Sequence, residues 1–523
     1  MGMKPKVGSP PDYTLDDDEI PWVLGTQLNE DAGPLGRVDG GKVLMVESHG
    51  FARRKPYHAQ KLTLVFSAMR CFRDRLSDEG YDVVYRKGES FAEALGAFFD
   101  DYPDTTPVVM RSPSYGSADG LRDVAREAGG EVRVVENELF VSTREAFDSW
   151  ADSTESDAFR HETFYRWMRR RSGVLMDGDE PEGGDWNYDD QNREYPPEGW
   201  GSPDEPSFEH GEIVDETADM VAEGFETWGK AVDASGFPWP VTREQALDAL
   251  SVFVSERLGT FGSYQDAMVS DDWSVSHSLL GSSINLGLLH PVEVIEGIEE
   301  TYREGDAPIN SAEGAIRQIL GWREFMRHVY RHSMPELATA NRLDAEHDLP
   351  ELYWTGETDM ECLRSTVEDV RERGYSHHIQ RLMVLANFAT LWGVVPEELN
   401  RWFHATYVDA YHWVTTPNVI EMGMYGSGVF ATKPYVSSAN YIDEMSDYCG
   451  SCPYHKTKDT GENACPFNAL YWDFLDRNED ELRSNHRMSL MYGHVDDKRG
   501  SGEMDDIHER VKELRRMEED GVL

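Results

Sequence analysis

Cysteine is scarce: there are five in 523 residues, four of them between Cys362 and Cys465 and one, Cys71, alone in SAMRCFRDRL. So few thiols, so unevenly placed, exclude a disulfide framework. No stretch approaches the ~18 consecutive apolar residues of a membrane-spanning helix. The N-terminal MGMKPKVGSPPDYTLDDDE lacks the apolar run of a signal peptide, so a cytoplasmic protein that avoids membranes is expected. Basic residues are short as well, 50 Lys and Arg against 98 Asp and Glu, for a formal net charge of −48. Acidity spread along the whole chain suits a halophilic host, whose salt screens self-repulsion within a few ångströms. It argues against bulk charge as a means of holding nucleic acid, because phosphate binding wants Lys and Arg. High salt weakens that argument, and Arg166, Arg169, Arg170 and Arg171 still cluster in FYRWMRRR. A solvated helix face is the bland reading of that run.

The length leaves room for two or three domains. Residues 1–20, Pro-rich and acidic, read as disordered. Runs at Trp22–Leu28, Lys42–Glu47, Tyr81–Tyr85, Pro107–Met110 and Glu131–Val135 read as strands. They alternate with helical periodicity at 61–76, 91–99 and 118–128. That alternation predicts an α/β domain over 21–145, a doubly wound, Rossmann-like parallel sheet with ligands at the carboxyl ends of its strands. Residues 146–216, rich in Gly, Pro, Asp and Glu from 174 on, are expected to be an interdomain linker or lid. Residues 217–523 read as an all-α domain that ends, over 496–523, in a charged peripheral helix with a frayed end.

The chemistry concentrates between Cys362 and Cys465. Cys449-x2-Cys452 with a close partner, Cys465, and a remote one, Cys362, offers four thiolates, and thiolates suit zinc or an iron–sulfur cluster. Between them lie His377 and His378. Adjacent side chains on a helix diverge by about 100°, so both rarely share one buried face.

Other segments then fall into a pattern: Phe261-Gly-Ser-Tyr264, the loop His277-Ser-Leu-Leu-Gly-Ser-Ser283, Gly321-Trp-Arg-Glu-Phe325, Ser376-His-His-Ile-Gln-Arg381, Lys433-Pro-Tyr435 with Asn440-Tyr-Ile442, and Cys465-Pro-Phe-Asn. From about Trp22 to Asn478 the chain resembles the photolyase/cryptochrome superfamily, and within it the bacterial and archaeal iron–sulfur group that acts on (6-4) photoproducts.

The resemblance implies FAD held by Tyr264, His277, Ser278, Leu279, Leu280, Gly281, Ser282, Gln318, Trp322, Arg323, Arg381 and Tyr411, with Asp409 as the ion-pair partner of Arg381. Small residues in the 277–283 loop suit a pyrophosphate, because backbone N–H groups can approach it. It implies His377 and His378 as catalytic histidines, with His378 the acid, since an imidazole titrates near working pH. Tyr435 and Tyr441 would line the lesion pocket. Trp354 and Trp402, with Tyr411, would carry electrons to the flavin. The four cysteines would hold a [4Fe–4S] cluster, with zinc the alternative. Gly25, Gln27, Leu28 and Glu47 match the region that binds a lumazine antenna, 6,7-dimethyl-8-ribityllumazine, although Thr26 stands where the family often has an acid. Trp186 and Asn187 match a motif on the DNA side. Three further departures are the loop sequence itself, Thr415 where many relatives carry Asn, and Phe403 where some carry Tyr.

The expected protein is therefore a monomeric, light-dependent lyase that flips a (6-4) lesion from UV-damaged DNA into its helical domain. The alternatives are a photoreceptor without repair activity and an enzyme for cyclobutane dimers. The cysteine spacing also resembles primase large subunits, but no primase carboxylate pattern accompanies it.

Overall fold

A computed structural model describes Val7, residues 12–154 and residues 159–523. Among the described residues, five parallel strands form the larger of two sheets: β1 (Glu19–Val23), β2 (Gly41–Ser48), β3 (Tyr81–Gly88), β4 (Thr106–Met110) and β5 (Arg133–Val135), in the order β3-β2-β1-β4-β5. Val43 to Val46 of β2 are buried on both faces, as a central parallel strand requires. Helices α1 (Ala59–Asp78), α2 (Phe91–Asp101) and α3 (Ser117–Glu127) supply the crossovers. The strand order reverses beside β1, so the carboxyl ends of β1 and β4 form the crevice where such sheets take ligands.

Several boundaries differ from the sequence reading. The expected disordered segment lies mostly outside the described residues, but β1 starts within it, at Glu19. Leu24 to Leu28, read as strand, form the loop after β1 instead. The expected linker carries two helices, α4 (Arg144–Asp152) and α5 (His161–Ser172). They bury Phe147, Trp150, Phe164, Tyr165 and Met168 in the main core. Helix α6 (Glu212–Gly224) straddles the predicted start of the helical domain and packs on α1, where Arg70 donates to Thr217 Oγ1 at 3.1 Å. Arg169 is fully buried and donates to the carbonyls of Leu175 and Trp186, so one member of the arginine run has a structural task. Arg170 sits 4.6 Å over the Trp186 ring.

The helical half is joined to the sheet by buried polar contacts. The Leu28 N–H donates to the Leu286 carbonyl at 2.9 Å. Lys61 of α1 donates to the carbonyls of His404 and Ala410, both at 2.7 Å. The Glu324 carboxylate accepts the N–H groups of Val141 and Ser142 at 2.9 and 3.0 Å. Four helical stretches loosen into π-type turns, at Phe253–Arg257, Arg317–Arg323, Gln380–Ala386 and Pro417–Gly423. Such turns cluster at functional sites, and two of these four carry residues singled out above. The C-terminal segment is packed rather than frayed: helix Glu503–Glu519 buries Met504, Ile507 and Leu514, and Leu523 is buried beyond it.

Candidate active site and metal centre

Segments far apart in the chain converge on Arg381. Its two terminal nitrogens donate to the Asp409 carboxylate at 3.1 and 3.0 Å, and Nε donates to the Ser376 carbonyl at 2.7 Å. The Tyr407 ring lies 4.2 Å from the guanidinium carbon. Asn285 Nδ2 donates to the Asp409 carbonyl at 3.0 Å. A Cβ on Gly281 would stand 3.3 Å from Asp409 Oδ2, so glycine lets the 277–283 loop close on the ion pair. Within that region Val275 and Leu279 hold φ of 46° and 58°. A side chain in the left-handed region costs about 1–3 kcal/mol and tends to persist where function needs it.

Histidines occupy the next layer. His277 Nδ1 lies 3.0 Å from the Ser274 carbonyl, and its Nε2 lies 3.2 Å from His378 Nδ1. His377 stacks on His277 with centroids 4.7 Å apart, and neither of its ring nitrogens has a partner. Asp266 Oδ1 lies 3.3 Å from His378 Nε2. Burial, then the neighbouring imidazoles, hold His277 and His377 well below the usual histidine range, so both are neutral. The pair was read on one helix, but His377 precedes it and His378 is its first residue. His377 is thereby turned into the interior while His378 is half-exposed. Tyr441 joins this group through Asp266, and burial followed by that carboxylate raises its phenol. Tyr435 is exposed, with Asp189, Arg193 and Arg487 as its charged neighbours, and Arg193 also lies 3.9 Å from Asp266 Oδ2.

The remaining predicted flavin contacts divide. The hydroxyls of Ser282, Ser283 and Tyr411 are buried without a hydrogen-bond partner. Such groups cost about 1–3 kcal/mol each when unpaired, so they fit a polar ligand. Ser278 Oγ accepts the Leu280 N–H within the loop. Tyr264 packs against Trp200, and Gln318 donates to the Gly314 carbonyl. Trp322 stacks on His161 of α5 at 3.6 Å. Arg323 lies over Phe140 and donates to the Leu139 carbonyl. These last two are engaged with the α4–α5 side rather than with Arg381.

Trp402 is fully buried, and its indole donates to the Tyr353 carbonyl. Trp228, which the sequence reading passed over, lies 6.3 Å from Trp402 and 6.1 Å from Trp354, edge-on to both. Tyr411 stands elsewhere, near Lys61.

The four cysteines line one small cavity of about 20 Å³ with Met360, Ile442, Tyr448 and Phe467. Cys362 opens helix Glu361–Arg373, and Cys465 precedes helix Pro466–Arg477. Burial and then the neighbouring thiols hold Cys362 well above the usual range; burial pushes Cys449 up to about 11 and Cys465 up to about 12. Thiols in this setting ionise only against a multivalent cation. Among the described residues, no three of these sulfurs lie within 4.8 Å of one another.

In the sheet domain, Gln27 Nε2 donates to the Met110 carbonyl at 2.7 Å, across the crevice between β1 and β4. Glu47, also assigned to the antenna region, is buried among protein partners. Both its oxygens are taken, by Arg70 at 2.7 and 3.1 Å, Tyr85 at 2.6 Å and His49 at 2.8 Å.

A parallel α/β sheet clamped to a helical half, with an Arg–Asp pair, unpaired buried hydroxyls and a histidine cluster at its centre, has the architecture of light-driven DNA-repair flavoproteins and their photoreceptor kin. Two solved structures share the fold: a bacterial class III photolyase from Agrobacterium tumefaciens (TM-score 0.56, 17% identity, 83% of this chain and 84% of that one) and a cryptochrome from Synechocystis (TM-score 0.57, 13% identity, 82% and 86%). Residues 21–235 match the family model described as deoxyribodipyrimidine photo-lyase-related protein. Over 485 residues the chain is 40% identical to a (6-4) photolyase of Agrobacterium fabrum, covering 91% of this chain and 94% of that relative. The chain belongs to the photolyase/cryptochrome superfamily. Membership implies FAD, and the buried unpaired hydroxyls and the close approach at Gly281 fit such a group.

Proposed function

We propose that this protein reverses (6-4) photoproducts in UV-damaged DNA with light, working in high salt. The likeness to a (6-4) photolyase over nearly the whole chain supports the reaction class. The observation that carries the lesion choice is a chain of neighbours: the His377 ring beside that of His378, Asp266 Oδ1 at 3.3 Å from His378 Nε2, and Tyr441 beside Asp266. FAD, held by the 277–283 loop, Arg381 and Asp409, would on illumination supply the electron that is lent to the lesion and taken back. The residues do the rest. Asp266 orients His378, the group that would deliver a proton to the flipped lesion. His377, buried and neutral, packs behind His378, and Tyr441 lies against the carboxylate. Trp402 and Trp354 would restore the reduced flavin.

The cysteine cavity supports a [4Fe–4S] cluster over zinc. A tetrahedral zinc at about 2.3 Å would draw its four thiolates to about 3.8 Å apart. In a cluster each thiolate binds its own iron, so the sulfurs stand wider. A lumazine would enter the crevice beside Gln27, with Glu47 supporting the sheet beneath. The acid excess fits a halophilic cytoplasm, and a monomer suffices for every site described.

The deciding experiment illuminates reduced protein in high salt with two oligonucleotides, one bearing a (6-4) photoproduct and one a cyclobutane dimer. Only the first is expected to be repaired, and His378→Asn is expected to abolish that repair while retaining flavin. Repair of the cyclobutane dimer alone would remove the acid role from His378. Repair of neither, with flavin bound and photoreducible, would make the protein a photoreceptor.

A further inference from the structure

His277 Nε2 and His378 Nδ1 approach to 3.2 Å, and the groups around them decide what lies between. The Ser274 carbonyl can only accept, so His277 carries its hydrogen on Nδ1 and turns the lone pair of Nε2 outward. A carboxylate oxygen beside His378 Nε2 favours a hydrogen there, which puts the second lone pair on Nδ1. These two lone pairs then face each other at 3.2 Å. Neutral imidazoles repel in that arrangement, so the space between them calls for a positive particle. A proton is one solution. A metal ion is another.

The third histidine points to the metal. The His377 ring is fully buried, has no hydrogen-bond partner on either nitrogen, and stacks on His277. One nitrogen from each of the three rings falls within 4.8 Å of the others. The 3.2 Å separation of His277 Nε2 and His378 Nδ1 is close to the about 3.3 Å edge of a tetrahedron with metal–nitrogen bonds of about 2.0 Å. Asp266 stands where the outer carboxylate of a histidine-ligated metal stands, fixing the ring that binds. His378 is half-exposed, which gives an ion a way in. Burial keeps His277 and His377 neutral and so able to ligate.

We propose that His277, His377 and His378 form a binding site for a divalent transition-metal ion of the zinc or copper type. Three imidazoles select such ions over magnesium or calcium, which prefer oxygen ligands. The fourth position opens to solvent past His378. A bound ion ties up the His378 ring, so zinc or copper acts as a reversible inhibitor of the proposed repair. The site itself rests on the histidine geometry alone and stands whether or not that reaction is correct.

The test uses the full chain as isolated, in high salt, with Cu2+ added to one equivalent and frozen-solution EPR as the readout. Nitrogen superhyperfine splitting is expected in the wild type. His378→Asn and His277→Gln should each lose it and weaken Zn2+ binding about 100-fold or more in competition with a chromophoric chelator. Asp266→Asn, which removes only the orienting carboxylate, should keep nitrogen splitting and weaken binding about 10-fold. Unchanged melting of His378→Asn would show that loss of the ion is not loss of the fold. Three results would overturn the proposal: a spectrum with oxygen ligands only, as scattered surface carboxylates would give; the intense charge-transfer absorption of thiolate-bound copper; or splitting and affinity unchanged in both histidine variants.

Discussion

Glu47→Gln separates two roles that one carboxylate cannot easily combine. Burial alone would raise the Glu47 pKa, but the hydrogen bonds from Arg70, Tyr85 and His49 prevail and hold it at about 2 against an ordinary 4.5. A depressed carboxylate stabilises the fold fully above pH 4.5, and the contribution fades as the pH falls from 4.5 toward 2. The shift corresponds to about 3 kcal/mol, in line with the about 3–5 kcal/mol lost when one partner of a buried pair is removed. Glutamine keeps the size, removes the charge and leaves Arg70 buried without it. Urea unfolding followed at pH 7 should show Glu47→Gln less stable by about 3 kcal/mol. Repeated at descending pH, the gap should close through the window from 4.5 to 2. A wild-type urea midpoint at pH 7, or a deficit that does not shrink with acid, would refute the structural role. Loss of an antenna chromophore at unchanged midpoint would return Glu47 to the ligand side.

Asp409→Asn should leave Arg381 buried without its charge partner, costing about 3–5 kcal/mol in stability by urea titration and loosening any bound flavin, read as free FAD after gel filtration. Cys465→Ser should abolish the metal centre; elemental analysis of wild-type protein is expected to give four irons per chain, and a single zinc would overturn the cluster. Trp402→Phe should slow photoreduction of the flavin at least tenfold with FAD content unchanged, measured by loss of oxidised-flavin absorbance under blue light.

The sheet was legible because buried parallel strands read as continuous apolar runs, as Val43 to Val46 do. The start of β1 was not, since Glu19 and Pro21 hide it among polar residues and only pairing with β4 makes them strand. Helices α4 and α5 were masked by acidic flanks, and their aromatic faces acquire meaning only against the helix that carries Trp322. Within the site, local spacing exposed the cysteines and the histidine pair. Asp266, Trp228 and Lys61 were invisible because a lone Asp, Trp or Lys has no pattern; each is defined by partners far along the chain, as His277 and His378 are, 101 positions apart. His290, whose ring caps helix Pro291–Glu304, would likewise have been read as generic.

The packed C-terminal helix has a consequence for how the molecule is made. Arg510 donates to the carbonyls of Glu462 and Ala464, just ahead of Cys465, and the Asp359 N–H donates to the Leu523 carbonyl, just ahead of Cys362. Both approaches to the cysteine cavity are thus fastened by residues that leave the ribosome after all four thiols. A metal centre of the kind proposed, loaded before those residues emerge, would sit uncovered, so its loading and the docking of the tail would be coupled events. Stripping the metal should in turn release the tail, and a protease would find Glu503–Glu519 before any other helix.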